Sequence, residues 1–216
     1  IRFVSSHEIG HTIGLRHNMG ASSATPVEKL RDKKWVEANG HTVSIMDYAR
    51  FNYVAQPEDN ISPKGIYPRI GSYDKWAVQW GYGYYPNAKD EFEEEKLLAK
   101  LTTDSLTANP KLWFGGEGKD EDPRSQKEDI GDDAVKASDY GIKNLKRVVP
   151  NLIAWTYQPN DAYDNLADMH KAVVSQYNLY LYHVLKNIGS NYVTKRTVDE
   201  KGAVYRPVPK AKVKAA

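Results

Sequence analysis

Apolar residues along this chain recur mostly at three- and four-residue spacing and alternate only near its end, a pattern that predicts a mainly helical protein with little sheet. The longest periodic run, Ala162 to Ile188, puts Leu166, Met169, Val173, Tyr177, Leu181, Val184 and Ile188 along one helix that Gly189 ends. A charged helix from Asp90 to Leu101 is expected to bury Phe92, Leu97, Leu98 and Leu101, with Glu93, Glu94 and Glu95 on its solvated face. Asp132 is expected to cap a helix from Asp133 to Val148, which Pro150 interrupts before Leu152–Tyr157 continues it. Ser72 reads as the cap of a helix from Tyr73 to Trp80, with Trp76, Val78 and Trp80 as its bulky set and Gly81 and Gly83 as its end.

Nearer the start, Ile1 to about Leu15 reads as a helix with Phe3, Ile9 and Ile13 toward the core, and Pro26 opens a short helix through Trp35. Asn39-Gly40 signals a turn before an extended piece from Thr42 to Ile45, and Tyr48 to Tyr67 is loop-like. Around Glu200-Lys201-Gly202 the alternation of Tyr192 and Thr194 with Val204 and Tyr205 predicts a hairpin, followed by a tail rich in proline and lysine. The turn-rich, acidic stretch from Asn109 to Asp133 suggests two regions, 1–108 and 109–216.

Composition narrows the chemistry. At 216 residues and a net charge of +2, the chain can bury a sizeable core and has no overall charge bias toward nucleic acid or an anionic membrane. Cysteine is absent, so disulfides and thiolate metal sites are excluded and any metal falls to histidine and carboxylate. No apolar run is long enough to span a bilayer.

One stretch concentrates the candidate chemistry: His7-Glu8-Ile9-Gly10-His11-Thr12-Ile13-Gly14-Leu15-Arg16-His17. On a helix His7 and His11 stack one turn apart, so both imidazoles can reach one point, as a tetrahedral Zn²⁺ requires. Glu8 sits beside them, placed to touch a water on the metal without ligating it. Gly14 supplies the positive-φ residue that reverses the chain and carries His17 to the same ion.

This HExxHxxGxxH pattern resembles the metzincin signature of zinc endopeptidases, and a Met-turn appears as Ser44-Ile45-Met46-Asp47-Tyr48. Segments 44–59, 74–82 and 128–147 are similar to large bacterial zinc-dependent metzincin-like proteins long labelled a domain of unknown function. The resemblance implies a zincin-like fold in which this chain is the lower, carboxy-terminal subdomain with an appended helical region. It also implies a peptidase acting on peptide or protein substrates, with export favoured. Three neutral imidazoles would hold Zn²⁺, and Glu8 would take a proton from the attacking water and pass it to the leaving amine. Met46 would pack beneath the imidazoles without ligating. Tyr48 matches the tyrosine that serves astacin-like and serralysin-like metzincins as an oxyanion donor. In metzincins an upper half precedes the zinc helix, so the chain is expected to be a fragment whose partner is the missing amino-terminal part, with little activity on its own.

Competing readings attach to several of these residues. Glu28 or Glu37 is the alternative third ligand to His17, and the rival function is a binding or scaffold module with a structural or vestigial zinc site. His41 is expected in an exposed turn, and His170 and His183 as polar-face or satisfied core residues. Asp120, Asp122, Asp129, Asp132 and Asp133 read as a solvated acidic loop in preference to a Ca²⁺ site, since they lack EF-hand spacing. Tyr82, Tyr84 and Tyr85 are expected in core or surface roles, while Arg50, Phe51 and Tyr53 are placed to line a specificity pocket.

Overall fold

A computed structural model of the chain describes residues 1–118 and 121–216; Asp120, and with it one member of the expected acidic loop, lies outside the described residues. The fold is mainly helical, as the periodicity predicts. Helices α1 (Arg2–Thr12), α2 (Lys33–Asn39), α3 (Pro63–Ile66), α4 (Ser72–Tyr82) and α5 (Glu91–Ala108) are joined by long, well-bonded loops. They are followed by α6 (Ala134–Val148), α7 (Leu152–Thr156), α8 (Asp164–Leu185), the strands β1 (Asn191–Val193) and β2 (Tyr205–Pro207), and α9 (Lys210–Ala215). The strands pair antiparallel with Tyr192 opposite Arg206, the predicted hairpin, and the lysine-rich tail closes as α9. Among the described residues no helix is long and apolar enough to cross a membrane.

The core gathers residues far apart in sequence. Val27 and Leu30 from a 3₁₀ turn meet Ala49, Tyr53 and Val54 beyond the Met-turn, Ile130, and Ala137 and Tyr180 from α6 and α8. Tyr53 belongs to this core, its ring 4.9 Å from that of Tyr180, and it also lines a cavity with Phe51. The α6–α8 crossing is close, because a Cβ on Gly141 would lie 2.5 Å from the Tyr180 ring.

Several expectations are corrected by burial. On α1 the buried residues are His7 and Gly10, whereas Ile9 and Ile13 are 60 % and 37 % exposed. The side of this helix that carries His7 and Gly10 is its inner face because it is turned toward the Met-turn. On α5 no residue is fully buried, and Phe92 lies in the open. On α8 the buried positions are Tyr180 and His183, while Met169, Tyr177 and Leu181 are exposed, so the packed stripe is rotated from the apolar one. Helix caps fall one residue from their predicted places. Asp133 caps α6 through the amides of Val135 and Lys136, and Gly71 stands at the start of α4, where the Asp74 carboxylate accepts its amide at 2.7 Å.

The acidic stretch is structural and not a solvated loop: Asp122 and Asp129 are buried, and Asp132, at the surface, is engaged by backbone. Asp122 takes the Arg124 guanidinium and the amide of Val193, Asp129 accepts from Gln126, and Asp132 accepts from the amide of Val27. Loops at the core must give their amides acceptors, and these carboxylates supply them. His41 also lies in the interior, since Gly40 at φ +83 turns the chain inward; burial pushes its pKa down to about 4. His183 is a core histidine whose Nε2 pairs with the carbonyl of Lys127 at 2.8 Å, and burial takes it down to about 4 as well; His170 is exposed.

Burial pushes Asp129 up to about 8, with the charge of Asp47 adding to the effect, and pushes Asp47 up to about 7. A folded carboxyl raised above its ordinary 3.8 contributes stability that is fully present below that pH and is lost as pH rises through the folded value. The two lowered histidines act in the opposite sense, but their change is complete near their ordinary 6.5. Stability is thus expected to fall between about pH 6.5 and about pH 8, and urea unfolding should show Asp129→Asn flattening that slope. An unchanged slope in the variant would contradict this assignment.

Candidate active site

The site is built where α1 lies against the Met-turn. His7 Nδ1 is 2.8 Å from the carbonyl of Ile45, which can only accept, so the proton sits on Nδ1 and the lone pair on Nε2. His11 Nδ1 is 2.9 Å from the carbonyl of Leu15, which fixes the same tautomer. That carbonyl is within reach because α1 stops at Thr12 and Gly14, at φ +86, folds the chain back. The reversal brings in His17, whose Nδ1 lies 2.7 Å from Glu117 Oε2.

The three remaining ring nitrogens converge. Ligand atoms of His7, His11 and His17 all lie within 4.8 Å of one another, and the Nε2 atoms of His11 and His17 are 3.1 Å apart. With both protons committed to Nδ1, neither Nε2 has a hydrogen to give, so the pair forms no hydrogen bond with each other. Nitrogens bound to zinc at 2.0–2.1 Å with tetrahedral angles would be about 3.3 Å apart. His7 Nε2 is buried with no partner among the described residues. An orphaned nitrogen, two opposed lone pairs and three outer acceptors on Nδ1 form a donor set that fits Zn²⁺.

The Met-turn is clamped from below. Asp74 on α4 accepts from Ser44 Oγ at 2.6 Å and from the amide of Ile45 at 2.8 Å, while Ser44 Oγ takes the amide of Met46 at 3.0 Å. Burial raises the Asp74 carboxyl against the pull of these bonds and that from Gly71. Met46 is fully buried under α1, and its carbonyl accepts the amide of Asn18 at 3.0 Å. The chain after His17 is thereby tied to the same turn as His7.

Glu8 is exposed and lines a cavity of about 260 Å³ together with Phe3, His7, Tyr48 and Arg50. The Tyr48 ring stands 4.6 Å from that of His17 and 5.3 Å from that of His7. Its backbone carbonyl accepts the amide of Glu128 at 3.0 Å, and Glu128 pairs with Arg50 at 2.8 Å. Glu28 and Glu37, the alternative ligands, are occupied elsewhere, by Lys136 and by the amide of Ser62. Tyr82 and Tyr84 are surface residues; the Tyr82 hydroxyl donates to the carbonyl of Ile13 at the end of α1.

Glu117 and Gly10, like Asp74, are absent from the sequence expectations for the site. Glu117 reaches His17 from a hundred residues away because Asn18 and Met19 bond to the 113–116 segment. Gly10 faces Met46 so closely that a Cβ there would lie 2.3 Å from the thioether sulfur. Gly10 lies inside the motif, so its burial was open to inference from helix geometry; nothing in the spacing of Glu117 points to His17.

The family model described as Met-zincin matches residues 1–216. No curated protein matches the chain, and no solved structure does.

Gly10→Ala should overpack the contact with Met46 and cost about 1–3 kcal/mol in chemical denaturation. The loss should shrink in a Met46→Ala background; strictly additive losses would place the strain elsewhere.

Proposed function

The chain belongs to the Met-zincin family, and on that premise we propose that it forms the zinc-binding part of an endopeptidase. The observation that carries this reading is the convergence of three Nε2 lone pairs with every Nδ1 proton already engaged. His7, His11 and His17 would be the ligands. Bound zinc would supply Lewis acidity and bring the pKa of a coordinated water toward about 7. Glu8, exposed at the mouth of the cavity, takes the proton from the attacking water and returns it to the leaving amine. The Tyr48 hydroxyl, on a ring packed against two of the imidazoles, donates to the oxyanion of the substrate carbonyl. Met46 and Gly10 set the height of the imidazoles from beneath, and Glu117 aims His17.

A structural clip is the weaker reading. Structural zinc sites are usually closed by four protein ligands, and among the described residues no fourth donor joins the three histidines.

Glu8→Ala should lower peptide cleavage by at least about a hundredfold while leaving zinc bound. Cleavage at the parental rate would remove Glu8 from the mechanism. Glu117→Ala should weaken zinc binding about 10–100-fold in competition with a chromogenic chelator, and unaltered affinity would show that His17 needs no outer carboxylate.

A further inference from the structure

Next to the segment that bonds to Tyr48, two buried groups face each other with unused atoms. Asp129 Oδ1 lies 3.9 Å from His183 Nδ1, and neither atom has a hydrogen-bond partner among the described residues. The other end of each group is occupied: Gln126 donates to Asp129 Oδ2 at 3.3 Å, and His183 Nε2 is 2.8 Å from the carbonyl of Lys127. A carbonyl can only accept, so the imidazole hydrogen is on Nε2 and Nδ1 turns a lone pair toward the carboxyl. With Asp129 ionised, two acceptors would oppose each other in the interior and both would go without a hydrogen bond. A hydrogen on Oδ1 makes the same pair donor and acceptor, and the soft terminal torsion of an aspartate lets them approach.

The groups around the pair favour that neutral form. Burial and the charge of Asp47, on the Met-turn, hold the Asp129 carboxyl up at about 8 against the hydrogen bonds of Gln126 and the Ile130 amide and the charge of Lys212 on α9; the Tyr53 hydroxyl also faces it. Burial takes His183 down to about 4, against its bond to Lys127, and Lys186 on the same helix acts in the same direction as burial. The Tyr180 ring stands 6.4 Å from the imidazole. The pair bridges α8 and the 127–130 segment, which reaches the candidate active site. Glu128 donates its amide to the Tyr48 carbonyl at 3.0 Å and pairs with Arg50 at 2.8 Å. Glu128 and Arg50 are both left-handed, at φ 61 and 45, a conformation that residues other than glycine keep only where their surroundings enforce it.

We propose that Asp129 and His183 form a proton-held latch: the carboxylic acid hydrogen of Asp129 is donated to His183 Nδ1, fastening α8 to the segment that grips Tyr48, and loss of that proton to solvent in alkali releases the grip. The latch neither needs zinc nor touches its three histidines.

Carbon-13 and nitrogen-15 NMR of the metal-free chain tests this directly. At about pH 6 the Asp129 carboxyl should give the signal of the acid and His183 that of the neutral ring with its hydrogen on Nε2. A carboxylate at Asp129 at that pH, or a hydrogen on His183 Nδ1, overturns the proposal. The release is read by amide hydrogen exchange. From about pH 6 to about pH 9 the protection of the Glu128 amide, corrected for base catalysis, should fall at least about tenfold. Asp129→Asn, whose amide donates to Nδ1 at any pH while its oxygen accepts from Gln126, should abolish that fall. Protection at Glu128 that ignores pH in the parent, or falls equally in the variant, also overturns the latch. The carboxyl and ring signals are read on the parent chain, so that test stands even if the variant proves unstable, and neither readout depends on peptidase activity.

Discussion

The hydrogen bond from His7 Nδ1 to the carbonyl of Ile45, with Met46 seated against Gly10 just behind it, is the contact on which this structure turns. It joins the second turn of α1 to a loop 38 residues away and decides the tautomer of the first imidazole in the same stroke. A side chain at position 10 would lift the helix from the loop, and a loop without Asp74 beneath it would lose the acceptor for its Ser44 hydroxyl and Ile45 amide. The placing of His7 beside the other two imidazoles presupposes that this junction is closed.

Because the junction is made of loop and not of sheet, its backbone must be satisfied by side chains, and buried carboxylates do much of that work. Asp47 accepts the amide of Ser22 and the hydroxyl of Thr42, Asp74 holds the Met-turn, and Asp122 ties the 122–124 turn to β1. Paired this way, buried acids are a means of holding irregular chain in one conformation, and the raised values of Asp47 and Asp129 are its electrostatic consequence. Two other bonds bring the second half of the chain to the first: the Glu128 amide donates to the Tyr48 carbonyl, and the Glu117 carboxylate pairs with His17 Nδ1.

The motif, the helical class and the hairpin were legible in order along the chain, because each rests on local spacing: three or four residues for helices, two for strands, a glycine for a reversal. His7, His11 and the turn at Gly14 belong to this group. So does the three-residue step from Gly14 to His17, once a reversal is granted. What misled was the assumption that apolar residues mark the inner face. On α1 and α8 the buried residues include His7 and His183, chosen by what the neighbouring loops can bond, while Ile9 and Met169 face outward.

Residue order alone therefore determined which side chains can share one face or one turn, since backbone geometry makes that a matter of counting. Only the tertiary structure decided which nitrogen of each histidine carries its proton, and that Glu117 and Asp74 stand around the cluster. Those outcomes depend on partners dozens of residues distant, and the contact between such partners is set by packing and by the need to satisfy every buried amide, neither of which has a period along the chain.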